Sequence, residues 1–143
     1  MSGDLVYGRS AEQWRDLVAE TTEILEEVAR QGLTMTYTEL NSRLVGRTGG
    51  SVFDFSKGSE RAALGKLLGE VSEESYAADK VMLSALVVGS DKEAFEPSGG
   101  FYALAQQNGW LRADATRDDR VLFWHGQLES TYKRYKRRRR VAR

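Results

Sequence analysis

The chain of 143 residues is 41% hydrophobic and 29% charged and contains a single proline, a composition that predicts one ordered globular domain and excludes a disordered or collagen-like chain. It contains no cysteine, which excludes disulfides, thiolate zinc sites, iron–sulfur clusters and a cysteine nucleophile. The net charge is zero, yet eight of the 21 basic residues lie at positions 133–143, where no acidic residue occurs, which leaves 13 basic against 21 acidic residues elsewhere.

The N-terminal positions 1–9 lack a basic stretch followed by an apolar run, and no apolar run has the length of about 18 residues that a membrane span needs. We therefore expect neither a signal peptide nor a transmembrane helix, and a cytoplasmic location without a membrane partner. No residue pattern predicts a cofactor.

The first predicted element is a helix over positions 11–31. Ser10 and Gln13 have the spacing of a capping box, and Gly32 is a natural C-terminal stop. Apolar residues recur between them at helical spacing. The outer face is acidic and should repel phosphate, through Glu12, Asp16, Glu20, Glu23, Glu26 and Glu27.

A second capping box, formed by Thr36 and Glu39, predicts a short helix over positions 38–44, of a length that suits a helix-turn-helix component. Glycines and scattered polar residues then predict a loop over positions 46–58. We expect the loop to bury its aromatic side chains, Phe53 and Phe55, under the domain.

A third helix is predicted from Ser59, with a buried stripe formed by Leu64, Leu67, Leu68 and Val71. The nearly continuous apolar run at positions 81–88 is typical of a strand covered on both faces and predicts the central strand. A short helix over positions 101–105 follows, and Trp110 and Leu111 are expected to add a strand.

Thr116 and Asp119 open a long last helix. Its apolar residues keep a period of 3.6 into the basic run, which comprises positions 133–140. We therefore expect a globular domain over positions 1–132 and a basic helical tail over positions 133–143. The whole pattern indicates the α+β class.

The basic run is the strongest functional feature, because its charges are too dense to neutralise one another and will attract counterions or a polyanion. Tyr132 and Tyr135 are placed to stack on bases if the helix frays. Cations at a helix C-terminus also complement its dipole, by about 0.3–1 kcal/mol each, but one or two would suffice for that. The predicted phosphate contacts are Lys133, Arg134, Lys136, Arg137, Arg138, Arg139 and Arg140.

Three further features have ordinary structural interpretations. Ser98 with the two following glycines could present backbone N–H groups to a phosphate, but an ordinary turn before a helix is favoured. His125 is the single histidine, which excludes a multi-histidine metal site and favours a packed or half-exposed side chain. The acidic residues that flank the apolar run would be needed for a metal-dependent nuclease, but turn charge is the simpler interpretation of Asp79, Asp91, Glu93 and Glu96.

Four segments resemble the winged-helix DNA-binding domain of alkylguanine-DNA alkyltransferases and their alkyltransferase-like relatives, over positions 36–110. Thr36-Tyr37-Thr38-Glu39-Leu40 is similar to the family's helix-opening tyrosine segment, and Arg61-Ala62-Ala63-Leu64-Gly65 to its arginine-finger helix. Positions 81–88 are similar to the strand that bears the reactive motif, and Gly99-Gly100-Phe101-Tyr102 to the wing glycines.

This resemblance implies a winged-helix-like single domain and a DNA-facing role for Tyr37 and Arg61. Where the family has its reactive cysteine stretch, this chain has Met82-Leu83-Ser84-Ala85-Leu86, so alkyl transfer is excluded. The segments YTEL, LLGEVS, LSALVV and PSGGFYALA are also similar to small uncharacterised bacterial proteins, a likeness that implies no activity.

The sequence therefore predicts non-enzymatic nucleic-acid binding, with DNA favoured over RNA, through the basic C-terminal helix and a winged-helix-like body. One alternative is an interaction or accessory module whose tail docks on an acidic protein. The other is a metal-dependent nuclease that uses the acidic turn residues.

Overall fold

Helices form most of the chain in the computed structural model, which describes residues 5–49, 53–89 and 95–141, with side chains described as far as position 136. The described residues form the helices α1 (Ala11–Gln31), α2 (Tyr37–Thr48), α3 (Gly58–Asp79), α4 (Gly99–Gln107) and α5 (Arg117–Val141). A 3₁₀ helix (Leu83–Leu86) and two short strands, β1 (Met35–Thr36) and β2 (Val87–Val88), complete the architecture.

Both predicted capping boxes are present. In the first, Ser10 Oγ accepts from the Gln13 N–H at 3.1 Å, and Gln13 Oε1 accepts from the Ser10 N–H at 2.8 Å. In the second, Thr36 and Glu39 make the same two bonds at 3.1 and 2.8 Å. The bounds predicted for α1 are confirmed, and its end lies at Gly32 with a φ of 71°. Helix α2 is longer than predicted and continues to Thr48.

Asn41 fixes the segment that follows α2. Its amide Nδ2 donates to the Phe53 carbonyl O at 3.0 Å, and its Oδ1 accepts from the Phe53 N–H at 2.9 Å. Phe53 is 3% exposed, and the Arg9 guanidinium lies 4.6 Å from the centre of its ring. Phe55 is half-buried against the same core. The prediction that this loop buries its aromatic side chains is confirmed.

The long central strand predicted at positions 81–88 is wrong in conformation, although all eight residues are buried. Only β2 forms a strand, and it pairs in parallel with β1, so that Met35 lies opposite Val87 and Thr36 opposite Val88. The four residues before β2 form the 3₁₀ helix. The burial of positions 81–88 was therefore predicted correctly, but most of the segment is not part of a sheet.

Side chains of two helices replace the missing sheet partners of this segment. Ser75 Oγ donates to the Val81 carbonyl O at 2.7 Å and accepts from the Leu83 N–H at 3.1 Å. From α5, Gln127 Oε1 accepts from the Met82 N–H at 2.9 Å. Because buried backbone groups need hydrogen-bond partners of some kind, these polar side chains make a non-sheet conformation tolerable in the core.

The strand predicted at Trp110 and Leu111 is also wrong. Both residues lie in the turn that ends α4, where their N–H groups bond to the Ala105 carbonyl O at 2.8 and 3.3 Å. The Trp110 ring stacks on Tyr76 with ring centres 3.7 Å apart, so the side chain covers the end of α3.

Of the expected α+β class with a winged-helix-like body, the described residues show a mostly helical domain with a two-stranded parallel sheet. Apart from one antiparallel bridge between Val6 and Arg9, residues 5–49, 53–89 and 95–141 contain no antiparallel strand pairing, and hence no wing hairpin. The long C-terminal helix is present as predicted.

The apolar interior forms two adjoining clusters. The larger one lies between α1, α2 and α3, and includes Ile24, Leu40, Leu67 and Tyr135. The smaller one surrounds Met82 with aromatic side chains of α4 and α5. Within the described ranges no helix combines the length and the apolar character needed to cross a membrane.

Candidate functional site

The basic run forms the C-terminal third of α5. The predicted start of this helix is confirmed by two bonds: Thr116 Oγ1 accepts from the Asp119 N–H at 3.1 Å, and Asp119 Oδ2 accepts from the Thr116 N–H at 3.0 Å. The helix then continues to Val141. The expectation that the basic run extends a helix is confirmed for its backbone.

Two tyrosines dock the start of the run on the body. Tyr135 is 1% exposed inside the larger core cluster. The Tyr132 hydroxyl donates to the Leu33 carbonyl O at 2.9 Å, and burial raises the pKa of this phenol. Tyr135 is therefore buried in the folded structure and would stack on bases only if the helix frayed. Tyr132 is half-buried, with its hydroxyl already bonded. The helical period that carries them into the run also places them on the buried face of α5.

The described cations of the run differ in their surroundings. Lys133 is exposed and makes no ion pair with the described part of the chain. Arg134 Nε donates to Asp79 Oδ1 at 2.8 Å. Lys136 Nζ lies 5.7 Å from the centre of the Tyr132 ring, and a Cβ on Gly32 would be only 2.8 Å from it. Lys136 thus lies at the C-terminal end of α1, where a positive charge complements the helix dipole.

The side chains of Arg137, Arg138, Arg139 and Arg140 lie outside the described residues, although their backbone belongs to α5. Their charge is known from the sequence alone. The predicted phosphate contacts therefore divide into three cations with described side chains, of which Arg134 and Lys136 contact the folded body, and four arginines further along the same helix.

Tyr37 and Arg61 line one cavity of about 410 Å³ between α2, α3 and α4. The Tyr37 hydroxyl accepts from the Ser98 N–H at 2.9 Å, and Arg61 Nη1 donates to the Phe55 carbonyl O at 2.5 Å. Gly99 and Gly100, which the resemblance placed in a wing, form the first turn of α4 instead.

This cavity and the basic run are at opposite ends of α3. Arg61 lies in the first turn of that helix, and Asp79, which binds Arg134, is its last residue. At 1.5 Å per residue the two positions are about 27 Å apart along the helix axis. The predicted nucleic-acid-binding residues therefore form two separate groups.

The acidic residues proposed for a nuclease do not converge in the described part of the chain. Asp79 binds Arg134. Glu96 accepts from Nη1 and Nη2 of Arg117, and from the Tyr102 hydroxyl at 2.9 Å. The Arg117 hydrogen bond, more than that from Tyr102, holds the pKa of Glu96 below its usual value. Within residues 5–49, 53–89 and 95–141 no three acidic or histidine side chains could hold a metal ion together. Asp91 and Glu93 lie outside the described residues.

His125 is exposed on α5 and lies edge-on to Trp124, with ring centres 5.0 Å apart. Its position agrees with a half-exposed side chain more than with a buried catalytic one.

Sequence reasoning missed the cavity beside Tyr37 and Arg61. The available clue was the pair Gly65 and Gly69, four residues apart on one face of a predicted helix.

Comparison with known proteins identifies no relative: no family model, no curated protein and no solved structure matches this chain.

Proposed function

We propose that this protein binds nucleic acid without catalysis, with DNA favoured over RNA, and that the basic end of α5 supplies the phosphate contacts. One observation carries the proposal: α5 runs unbroken to Val141 while buried Tyr135 fixes the start of its basic run in the core. A dense row of cations on an anchored helix is presented to a polyanion at a lower entropic cost than the same row on a free arm.

The uneven distribution of charge along the chain favours phosphate contact at the basic end of α5. Basic side chains that neutralise phosphates release condensed counterions, and this release is a sequence-independent source of affinity. Arginine adds bidentate hydrogen bonds to phosphate oxygens. Elsewhere acidic residues outnumber basic ones, so the body repels phosphate and orients the basic end of α5 toward it.

A winged-helix-like arrangement of the body is the finer part of the proposal. It is supported by Tyr37 and Arg61, which face one cavity from α2 and α3. In this arrangement the body would supply whatever selectivity accompanies the phosphate contacts.

The decisive experiment replaces Arg137, Arg138, Arg139 and Arg140 together with glutamine and measures binding to single-stranded DNA, double-stranded DNA and RNA at two or more salt concentrations. Each phosphate contact contributes about 0.9 to the slope of log K against log salt on duplex DNA, and about 0.7 on single strands. We expect weaker binding and a duplex slope that is smaller by up to about 3.6 units.

A matched control removes four exposed cations from the body, at Arg15, Lys57, Lys66 and Arg112. It changes the net charge by the same amount and should lower affinity far less. Equal losses in both variants would show that net charge alone drives binding, and unchanged binding in the arginine variant would move the site into the body. Either result contradicts the proposal.

A second candidate function, docking on an acidic protein, is favoured by the ion pair between Arg134 and Asp79, because it shows that the run accepts a carboxylate partner. Nuclease treatment discriminates between the two: a partner retained by the full chain after complete digestion of nucleic acid would favour protein docking.

A further inference from the structure

The cavity between α2, α3 and α4 has a volume of about 410 Å³, within the range of about 300–1,000 Å³ that is usual for small-molecule sites. Gly65 and Gly69 lie four residues apart on the wall contributed by α3. A Cβ on Gly65 would meet no atom within 4 Å, and one on Gly69 would lie 3.8 Å from Leu104 Cδ2. Part of the space therefore exists because position 65 has no side chain.

The walls of this cavity are largely apolar. Leu64 and Leu68 contribute from α3, and Phe101 and Leu104 from α4, with the ring of Phe55 beside them. Leu64 and Phe101 are only 4% and 5% exposed, so this part of the wall is fixed by the core. Such walls favour the apolar body of a ligand and exclude a fully hydrated ion.

The polar groups of the cavity favour a negative charge. Arg61 is the single charged residue among the described residues that line it, and the hydrogen bond it makes there goes to a neutral carbonyl, that of Phe55. Gly100 lines the cavity from the first turn of α4, and Ser98, the N-cap residue of that helix, makes no side-chain cap. The N-terminal end of the α4 dipole adds positive potential to that of Arg61.

We propose that the cavity binds a small amphipathic carboxylate, whose apolar body lies against the leucine and phenylalanine walls and whose carboxylate pairs with Arg61. A guanidinium is planar and matches a carboxylate through two parallel hydrogen bonds. This site is separate from the basic end of α5, which lies at the other end of α3, and it does not depend on nucleic-acid binding.

Calorimetric titration with decanoate and with decanol tests the proposal, because the two probes share an apolar chain and differ in charge. We expect saturable binding of decanoate, with decanol weaker. Arg61→Gln should weaken the binding of decanoate by about tenfold or more, as expected when a charge-assisted pair is lost. It should leave the binding of decanol unchanged. Lys66→Gln, an exposed charge one turn along α3, serves as the matched control and should bind both probes like the wild type.

Gly65→Met provides a second variant that does not touch the charge. The position is exposed, open and helical, so the substitution should not lower the melting temperature, and its side chain should fill the cavity and abolish binding of both probes. Backbone amide spectra of the wild type should show shifts at Gly65, Gly69 and Gly100 on addition of decanoate.

Any of the following results would overturn this inference: no saturable binding, equal binding of decanoate and decanol, wild-type decanoate affinity in Arg61→Gln, or loss of decanoate binding when the four arginines of α5 are changed to glutamine. The last result would mean that decanoate binds to the basic run and not in the cavity. Displacement of decanoate by a short DNA oligonucleotide would assign the cavity to nucleic acid and would also overturn it. The proposed function is tested at the opposite end of α3, so the failure of either proposal is recognised separately.

Discussion

Arg134 and Asp79 form an ion pair, with Nε donating to Oδ1 at 2.8 Å, that joins the first turn of the basic run to the last residue of α3. The side chains are 38% and 18% exposed, so solvent screens the pair and its contribution to stability should stay below about 1 kcal/mol. Its larger effect concerns binding, because Asp79 holds one of the cations of the run against the body.

Asp79→Asn should therefore tighten nucleic-acid binding. The substitution removes a negative charge next to the phosphate contacts and frees Arg134, and a gain of about 0.5–1 kcal/mol corresponds to an affinity about two- to fivefold higher at low salt. Fluorescence anisotropy with a labelled duplex measures the change. Asp118→Asn, the same charge change at the other end of α5, is the control, and an equal gain there would contradict the role given to Asp79.

Ser75 is expected to be critical for stability in spite of its small side chain. Ser75→Ala leaves the Val81 carbonyl O and the Leu83 N–H without the partner that the structure gives them, in a fully buried segment. An unsatisfied buried polar group costs about 1–3 kcal/mol, so urea unfolding should show a loss of that size. Ser59→Ala, at an exposed position in the first turn of α3, should change stability by less than about 0.5 kcal/mol. Similar losses in the two variants would contradict the bridging role.

The same serine explains how far the fold could be predicted from the sequence. Capping boxes are local, so Ser10 with Gln13 and Thr36 with Glu39 marked two helix starts correctly. An apolar run of eight residues indicates burial but does not distinguish a strand from other buried backbone. The choice at positions 81–88 depended on hydroxyl groups about six to twelve residues earlier on α3 and on Gln127 of α5, contacts that have no local pattern.

The candidate site shows a similar division. Charge density is a property of the sequence, so the basic run was visible without a structure. The apolar stripe of α5 contained the clue that Tyr135 belongs to the core, because the period of 3.6 that predicts a helix also predicts its buried face. That Tyr37 and Arg61 line one cavity depends on the packing of α2, α3 and α4 and on the empty position at Gly65, which no local pattern specifies.

Glu60 should make part of the protein's stability sensitive to acid. Arg9 Nη2 donates to Glu60 Oε1 at 3.0 Å, with side chains 9% and 18% exposed, and this hydrogen bond holds the pKa of Glu60 below its usual value. A carboxyl with a lowered folded-state pKa contributes stability above its unfolded pKa of about 4.3, and loses that contribution as the pH falls through the folded-state value.

Glu60→Gln should accordingly lower the free energy of unfolding near pH 7 by about 1.5–3 kcal/mol, the range for a hydrogen bond to a charged group. The difference from the wild type should shrink as the pH falls below about 4.3, which urea unfolding at a series of pH values measures. Glu73→Gln, an exposed position on the same helix, controls for the loss of one carboxylate. A difference that stays constant down to pH 2 would show that Glu60 acts by packing and not by its charge.

Tyr135 should determine whether the basic run is presented on a fixed helix. Tyr135→Ala removes a ring that is 1% exposed, and the loss of a large buried aromatic side chain costs about 3–5 kcal/mol. Tyr132→Phe, which removes the hydroxyl bonded to Leu33, should cost only about 0.5–1.5 kcal/mol. Amide hydrogen exchange at positions 131–136 should become much faster in Tyr135→Ala, and nucleic-acid affinity should fall while the salt slope stays near that of the wild type, because the number of cations is unchanged. If Tyr135→Ala kept the wild-type affinity at a temperature where its core is folded, the anchored helix would be irrelevant to binding and only the charge of the run would matter.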